Sequence, residues 1–517
     1  MKKIAFLIIA SLLVIGLVLP GCAGDGDGDG DGVEFDQFIK FAVAGPMNDV
    51  QGEAHWAGAE MARDAINDGG GVDVGGTIYG IELVQVDTNE VAGTPAEGIT
   101  ALEAVIDDVD FVVGGFRTES VVAYREVAMD AQKIFMNCGA ATGALQYSVV
   151  DDYDAYKYWF KITPFNSAFL VQALFGMTVT VGGLFKDALV AMGDGVLDDY
   201  EVGEGDKLKV AVVIENLAWM DAMVDTAALY LPVLGFTHVG TWRPSATATD
   251  LTTELTAIAD EHPHIIFTAI SGPMGLTLSK QRAELGIPAL TIGINVEVQA
   301  KGAWAATNQG CNYDILLDNF AEDVAITSKT LAWFDAYVAK TGEYPIYNAV
   351  TYDAINVIKK AIETTDSLDT DGIISYLETT PYTEGVASTK TAVYPMPGVD
   401  LGDGEYALSE EQVLALYPHI TTGYRDVVLG WLTGYRQDHW LVSASESVGA
   451  HYAHDLVFGP GYATAIGSQW QDGRKVGVWP IDLGPDNDQT KTTKYGNFNF
   501  EYPGTVDVYL PTEWFAE

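Results

Sequence analysis

From Phe38 onward the chain alternates short apolar runs with longer stretches in which apolar residues recur every three or four positions. The runs FIKFAVAG from Phe38, YGIELVQVD from Tyr79, DFVVGG from Asp110 and KIFMNCG from Lys133 have the length of strands. Between them the spacing predicts helices over about 52–67, about 96–106 and the segment after Thr118. Thr94-Pro95 is a helix start: proline's fixed φ suits the first helical position, where its missing N–H is no loss. Ile99, Leu102, Val105 and Ile106 then fall on one face. The same grammar restarts at Leu208 with LKVAVVIE, followed by a helix over about 218–234, the strand FTHVGTW, a helix over about 251–261, the strand HIIFTAI, a helix over about 274–285 and the strand ALTIGI. Strands this uniformly apolar are buried on both faces, so each strand-helix-strand succession predicts a parallel sheet covered by helices. The fold class is therefore α/β: two doubly wound parallel-sheet lobes in tandem, joined by a hinge near Phe160-Lys161-Ile162-Thr163-Pro164 and followed by an extended C-terminal tail. Ligands of such sheets bind beyond the carboxyl ends of the strands, and a cleft between two lobes collects two such edges.

The first residues change where this molecule is expected to work. Lys2 and Lys3 precede the apolar run Ile4 to Leu19, and Leu19-Pro20-Gly21-Cys22 follows the pattern of a bacterial lipobox, so residues 1–22 read as a lipoprotein signal peptide with lipidation at Cys22. Asp-Gly repeats make residues 23–35 a flexible tether with little to bury. No later apolar run is expected to span a bilayer. The chain is thus expected outside the cytoplasm, lipid-anchored to the cell membrane, at the cell surface or in the periplasm. Residues 36–162 and 319–390 are assigned to the first lobe, 163–318 to the second, and 391–517 to a C-terminal extension packing on the lobes.

Charge and motifs exclude several functions. Lys and Arg number 27 against 72 Asp and Glu, a formal charge of -45, and such a surface repels phosphate backbones, so no nucleic-acid partner is expected. No Gly-x-Gly-x-x-Gly follows the first strand, and no phosphate-binding Gly-x-x-x-x-Gly-Lys-Ser/Thr or Gly-x-Ser-x-Gly elbow occurs, so neither a cofactor nor a catalytic residue is assigned and no enzyme is expected. The carboxylate pairs Asp107-Asp108 and Asp151-Asp152 read as solvated surface. His451 and His454 have helical ligand spacing with Asp455 beside them, but no third ligand is near; they read as ordinary surface or loop histidines, and no metal is assigned. Cys138 and Cys311 remain after Cys22, with two separate buried thiols the default reading and a pairing left open. In the tail, Gln471-Asp472-Gly473-Arg474 between alternating apolar runs predicts a hairpin. With Trp440, Tyr462, Trp470 and Trp479, this aromatic tail is expected to pack on a lobe or cover one end of the cleft.

The strand ends carry a resemblance. Ala44-Gly45-Pro46-Met47-Asn48-Asp49-Val50-Gln51-Gly52-Glu53, followed by Trp56 to Ala62, resembles the opening of the type I periplasmic solute-binding proteins of ABC importers, branched-chain amino acid (leucine/isoleucine/valine-binding) group. Val112-Val113-Gly114-Gly115 with Thr118 and Ser120 is similar to that family's first ligand loop, and Asn137-Cys138-Gly139-Ala140-Ala141-Thr142 to its second. Tyr158 to Pro164 resembles the hinge and Thr351-Tyr352-Asp353-Ala354 a late helix of the first lobe, so the likeness runs from about Phe38 to Thr380. It implies a protein that captures a small polar ligand, an amino acid or related amide or carboxylate, between lobes that close about a hinge, and presents it to an ABC permease in the membrane. The candidate ligand contacts are Gln51, Thr118, Ser120, Ala140, Ala141 and Thr142 from that likeness, Arg117, Asn295 and Glu297 where the chain departs from it, and Trp219 and Ser271, which each follow a strand. Free N–H groups at the helix starts near Gln51-Gly52 and Thr118-Glu119-Ser120 suit a carboxylate, and Arg117 offers an anionic ligand a cation. In amino-acid-binding relatives a second-lobe carboxylate holds the ligand ammonium; here that position is Asn295, with Glu297 two residues on, which leaves amino acids, amides or urea, and small carboxylates open. A receptor ectodomain sensing such a ligand for a signalling partner is the alternative, and an extracellular enzyme with a site at His451 and His454 a more distant one.

Overall fold

The apolar runs pair into two separate sheets. A computed structural model describes residues 34–163, 167–203, 205–388, 391, 454–456, 465–479, 502 and 504–516, and Phe35–Glu517 form one compact unit. The signal segment with Cys22, the tether as far as Val33, and Pro164, Trp440, His451 and Tyr462 lie outside the described residues.

The first lobe runs β1 (Phe38–Gly45), α1 (Val50–Asp68), β2 (Val72–Val74), β3 (Thr77–Asp87), α2 (Pro95–Glu103), β4 (Phe111–Gly114), α3 (Thr118–Asp130), β5 (Ile134–Asn137), α4 (Ala144–Asp151), α5 (Tyr153–Tyr156) and β6 (Trp159–Lys161). Its sheet order is β2-β3-β1-β4-β5-β6, parallel apart from the β2–β3 pair. Winding outward from β1 buries both of that strand's faces, which is why FIKFAVAG needs to be apolar almost throughout. In register, Phe41 of β1 opposes Phe111 of β4 and their rings stack at 5.1 Å. The Thr94-Pro95 start holds, with Glu97 reaching back to accept the Thr94 N–H at 3.1 Å; α2 stops at Glu103, and a separate 3₁₀ turn covers Ile106–Asp108. Gly114, at φ 109°, ends β4 where a Cβ would lie 2.1 Å from the Ala44 carbonyl oxygen, so only glycine fits there.

The chain continues through α6 (Ser167–Met192). The stretch Ala173–Gly195, which takes in most of α6 and the 3₁₀ turn after it, has a mean hydropathy of 1.4 over membrane-spanning length, which corrects the expectation that no such run follows the signal segment. About 67% of that stretch is buried inside the protein: Phe175 stacks on Phe267 at 5.4 Å and Phe185 meets Phe515 edge-on at 5.3 Å. A helix surrounded by protein on most sides is apolar on most sides, and hydropathy by itself does not separate that case from a membrane span.

The second lobe runs β7 (Lys209–Ile214), α7 (Asp221–Val233), β8 (Thr237–Trp242), α8 (Thr252–Ala259), β9 (Ile265–Ile270), α9 (Met274–Glu284), β10 (Leu290–Asn295), α10 (Val296–Gln299), α11 (Ala303–Ala306) and β11 (Ile315–Asp318). After α12 (Thr330–Thr341), α13 (Thr351–Thr365) packs against α1 and β2 of the first lobe, and α14 (Thr370–Thr379) packs on α13. The tail hairpin, β12 (Ile466–Gln471) and β13 (Arg474–Trp479), goes further than packing on a lobe: it extends the second sheet, whose order is β13-β12-β11-β10-β9-β7-β8. Asp472 and Gly473 both have positive φ, the two-residue turn that Asp-Gly favours. β12 pairs antiparallel with β11, Lys475 Nζ lies 2.5 Å from Asp318 Oδ2 with both side chains buried, and the Trp470 indole donates to the Val298 carbonyl at 2.8 Å.

His454 departs from its surface reading. It is fully buried, its ring stacks on Phe160 at 4.1 Å, Nδ1 lies 2.8 Å from the Trp159 carbonyl, and Nε2 lies 2.8 Å from Glu378. Cys138 and Cys311 are both free and buried, in agreement with the default reading.

Candidate functional site

The carboxyl ends of the strands carry the chemistry. On the first lobe, β4 runs into Gly115-Phe116-Arg117, and Arg117 is the N-cap of α3, with Thr118 its first residue. Beside it the loop after β5 is shaped by Asn137, whose Nδ2 donates to the Ala140 carbonyl at 2.9 Å and whose Oδ1 accepts the Ala140 N–H at 3.1 Å. The two loops touch at Gly139, where a Cβ would lie 2.3 Å from the Gly115 carbonyl oxygen. On the second lobe, β7 runs into Glu215 and a 3₁₀ turn containing Trp219, β9 into Ser271, and β10 into α10. Tyr347, in the 3₁₀ turn that leads into α13, completes the enclosure. Phe116, Arg117, Thr118, Gly139, Ala141, Leu170, Trp219, Ser271, Ile294, Val296 and Tyr347 line a pocket whose empty space, counted together with the solvent it opens to, is about 380 Å³.

The residues expected at the site divide into three groups. Arg117, Thr118, Ala141, Trp219 and Ser271 line this pocket. Gln51 and Glu297 meet each other beside it: Gln51 Nε2 donates to Glu297 Oε1 at 2.9 Å and to the Ser271 carbonyl at 3.4 Å. The remaining four do not line it. Ser120 is buried within the first turn of α3, Ala140 is held back by Asn137, and the Thr142 hydroxyl accepts the Ala144 N–H at 3.3 Å at the start of α4. Asn295 is turned into the second lobe, where its Nδ2 donates to the Gly275 carbonyl at 3.0 Å; a Cβ on Gly275 would lie 1.9 Å from its Oδ1. Position 295 therefore braces β10 against α9. Gly139 entered only as part of the loop motif 137–142, and sequence reasoning did not single out Phe116, Leu170, Ile294, Val296 and Tyr347 as lining residues. An aromatic or aliphatic side chain at a strand or helix end has the same pattern as a core residue, so no sequence signal marked them.

It also missed two buried carboxylates behind the pocket. Glu90 accepts from the Thr88 hydroxyl at 2.7 Å, the Arg117 backbone N–H at 2.6 Å and the Tyr124 hydroxyl at 3.3 Å. Burial pushes its pKa up to about 7, against the pull of those donors. Glu215 accepts from the Ser271 hydroxyl at 2.5 Å, the Gly272 N–H at 3.0 Å and the Trp219 indole at 2.8 Å, and burial raises it too. The signal for Glu215 was present: a carboxylate closing the otherwise apolar run LKVAVVIE needs donors beyond its own strand. Burial likewise pushes Glu297 up to about 6, opposed by the hydrogen bond from Gln51.

Arg117 is the unsatisfied member. Its Nη1 donates to the Val91 carbonyl at 3.0 Å, while Nε and Nη2 are buried with no hydrogen-bond partner among the described residues. Buried donors without acceptors cost free energy that a bound carboxylate would recover in a charge-assisted pair. Beside Arg117 the polar lining residues are Thr118 and Ser271, and most of the remaining wall is Phe116, Leu170, Trp219, Ile294, Val296 and Tyr347. The arrangement can hold an acidic group at one end of an apolar body. Among the described residues, no group of three His, Cys, Asp or Glu side chains is placed to hold a metal ion.

Comparison with known proteins bears on this geometry. The family described as periplasmic binding protein matches residues 41–395. A solute-binding protein of an ABC transporter from R. palustris, solved with benzoate, aligns over 85% of this chain and 95% of its own at 13% identity and a TM-score of 0.58. One from Rhodopseudomonas palustris BisB5, solved with 3,4-dihydroxybenzoic acid, aligns over 69% and 88% at 17% identity and a TM-score of 0.53. A branched-chain amino acid transporter substrate-binding protein from Streptococcus pneumoniae, solved with isoleucine, aligns over 68% and 90% at 19% identity and a TM-score of 0.53. At these identities the likeness is one of fold.

Proposed function

We propose, from the premise that this chain belongs to the periplasmic binding protein family, that it captures a small organic carboxylate with an apolar body and delivers it to an ABC permease. The family is one of extracytoplasmic proteins that bind small solutes for ABC transporters and is not a family of enzymes. The finer reading starts from one observation: Arg117 lines a pocket whose other walls are mainly aromatic and aliphatic, and two of its nitrogens are buried without a hydrogen-bond partner among the described residues. In this reading the ligand carboxylate sits against Arg117 and the first turn of α3, and its body lies between Phe116, Trp219 and Tyr347. The lobes close over it about the hinge, and lipidation at Cys22 with the Asp-Gly tether keeps the protein at the membrane.

The choice between a zwitterion and a simple acid turns on the second-lobe carboxylates. Glu215 already accepts from three donors and Glu297 is engaged by Gln51, and neither lines the pocket. An ammonium would therefore find no free carboxylate at the pocket wall, which favours an aliphatic or aromatic monocarboxylate over an amino acid. Calorimetric titration of the chain starting after the tether tests this with benzoate, 4-hydroxybenzoate, isoleucine and leucine. Benzoate-like acids should bind, and Arg117→Leu should weaken them about 10- to 100-fold. Tight binding of isoleucine with none of the acids, or acid binding indifferent to Arg117→Leu, refutes the reading.

A further inference from the structure

Gln51 belongs to the first lobe and both of its acceptors to the second. It stands in the first turn of α1, fully buried, with its amide nitrogen 2.9 Å from Glu297 Oε1 and 3.4 Å from the Ser271 carbonyl, while its Oε1 finds no partner among the described residues. Its mount is rigid. At Gly52 a Cβ would lie 2.1 Å from the Pro46 carbonyl oxygen, so the start of α1 is pressed against the preceding loop. One turn on, buried His55 lies 2.9 Å through Nδ1 from the Asn348 carbonyl, and Thr351 donates its hydroxyl to the His55 carbonyl at 2.7 Å. Gln51 is thus held by its own lobe while its side chain reaches across to the other. Glu297 has a second-lobe base of the same kind, in α10 directly after β10, the strand that Asn295 braces against α9. Neither side chain lines the pocket.

We propose that Gln51 and Glu297 form a latch between the lobes, a direct hydrogen bond that stabilises the closed arrangement whether or not a solute is bound. The proposal rests on the two-lobe capture reading, but it assigns these two residues to closure and not to ligand contact. An amide donating to a carboxylate is a charge-assisted bond, and in a site this buried its loss leaves the carboxylate without its donor. A latch of this kind lowers the cost of closing, so part of the free energy of closure is supplied before any solute arrives.

The test is made without solute. Spin labels are placed on cysteines introduced at Val122 in α3 and Leu229 in α7, both exposed, while the native Cys138 and Cys311 are buried. Electron-electron resonance then reads the distance distribution between the lobes. The wild-type protein should show a closed population, and Gln51→Glu, which sets two carboxylates against each other, should lower the closed-to-open ratio about tenfold or more. Glu297→Gln, which keeps an acceptor for Gln51, should retain most of the closed population. If Gln51→Glu does not fold, Glu297→Ala takes its place with the same expected loss. A wild-type distribution lying wholly at open distances overturns the latch, as does a distribution that Gln51→Glu or Glu297→Ala leaves unchanged. Failure of the carboxylate reading would appear in the titrations with solute and leave these distances untouched.

Discussion

Glu90 and Glu215 occupy matching places in the two lobes: each is a buried carboxylate beyond a strand end, and each is held by three donors. They support opposite chemistry. Glu90 accepts the backbone N–H of Arg117 and so fixes the start of α3 and the cation that faces the pocket. Glu215 accepts the indole N–H of Trp219 and so fixes an apolar wall. Arg117 keeps two buried nitrogens without a partner among the described residues, whereas the side chains that Glu215 holds, Ser271 and Trp219, both belong to its own lobe. The comparison teaches that a buried acid beside a binding pocket need not be a ligand contact. Here each acid bonds a residue that lines the pocket without lining it itself.

The comparison can be broken in order of expected size. Glu90 has a folded-state pKa near 7 against an ordinary 4.5, so folding is unpenalised below about pH 4.5, loses stability as pH rises through this window, and carries the full penalty above about 7. That shift corresponds to a penalty on the order of 3 kcal/mol at pH 8. Glu90→Gln should therefore flatten this part of the stability profile, and denaturant melts at pH 5 and pH 8 should show the variant gaining on the wild type at the higher pH. An equal difference at both values would mean that Glu90 does not titrate in this window. Next in size, Trp219→Ala removes an aromatic wall and should weaken an aromatic acid by about 2 kcal/mol, roughly 30-fold, in calorimetric titration. Smallest is Trp219→Phe, which keeps a ring and removes only the donor to Glu215. It should cost about 1 kcal/mol of stability by thermal melt and change affinity little. If Trp219→Phe weakened the ligand as much as Trp219→Ala, the indole N–H would be a ligand contact and the parallel between the two edges would fail.

Much of the fold was legible in the chain. Strands β1, β4, β5, β7, β9 and β10 lie within a residue or two of the apolar runs that predicted them, and Thr94-Pro95 and Asp472-Gly473 mark a helix start and a hairpin turn as their backbone preferences require. The site was half-legible: of the residues singled out in the sequence, Arg117, Thr118, Ala141, Trp219 and Ser271 line one pocket, whereas Asn295 turns into the second lobe and bonds the Gly275 carbonyl.

The sequence by itself determined the elements and the two-lobe class, because strand and helix periodicities are properties of a backbone over a handful of neighbouring residues. Only the tertiary structure decided which strand-end side chains face the pocket, that Tyr347 joins it, and that β12 lengthens the second sheet. The Gln51 to Glu297 bond spans 246 positions and the Lys475 to Asp318 pair 157, separations at which no local pattern operates. The apolar run within α6 makes the same point from the other side. Its composition suits a membrane or a protein core alike, and the sheet it packs against settles which solvent it meets.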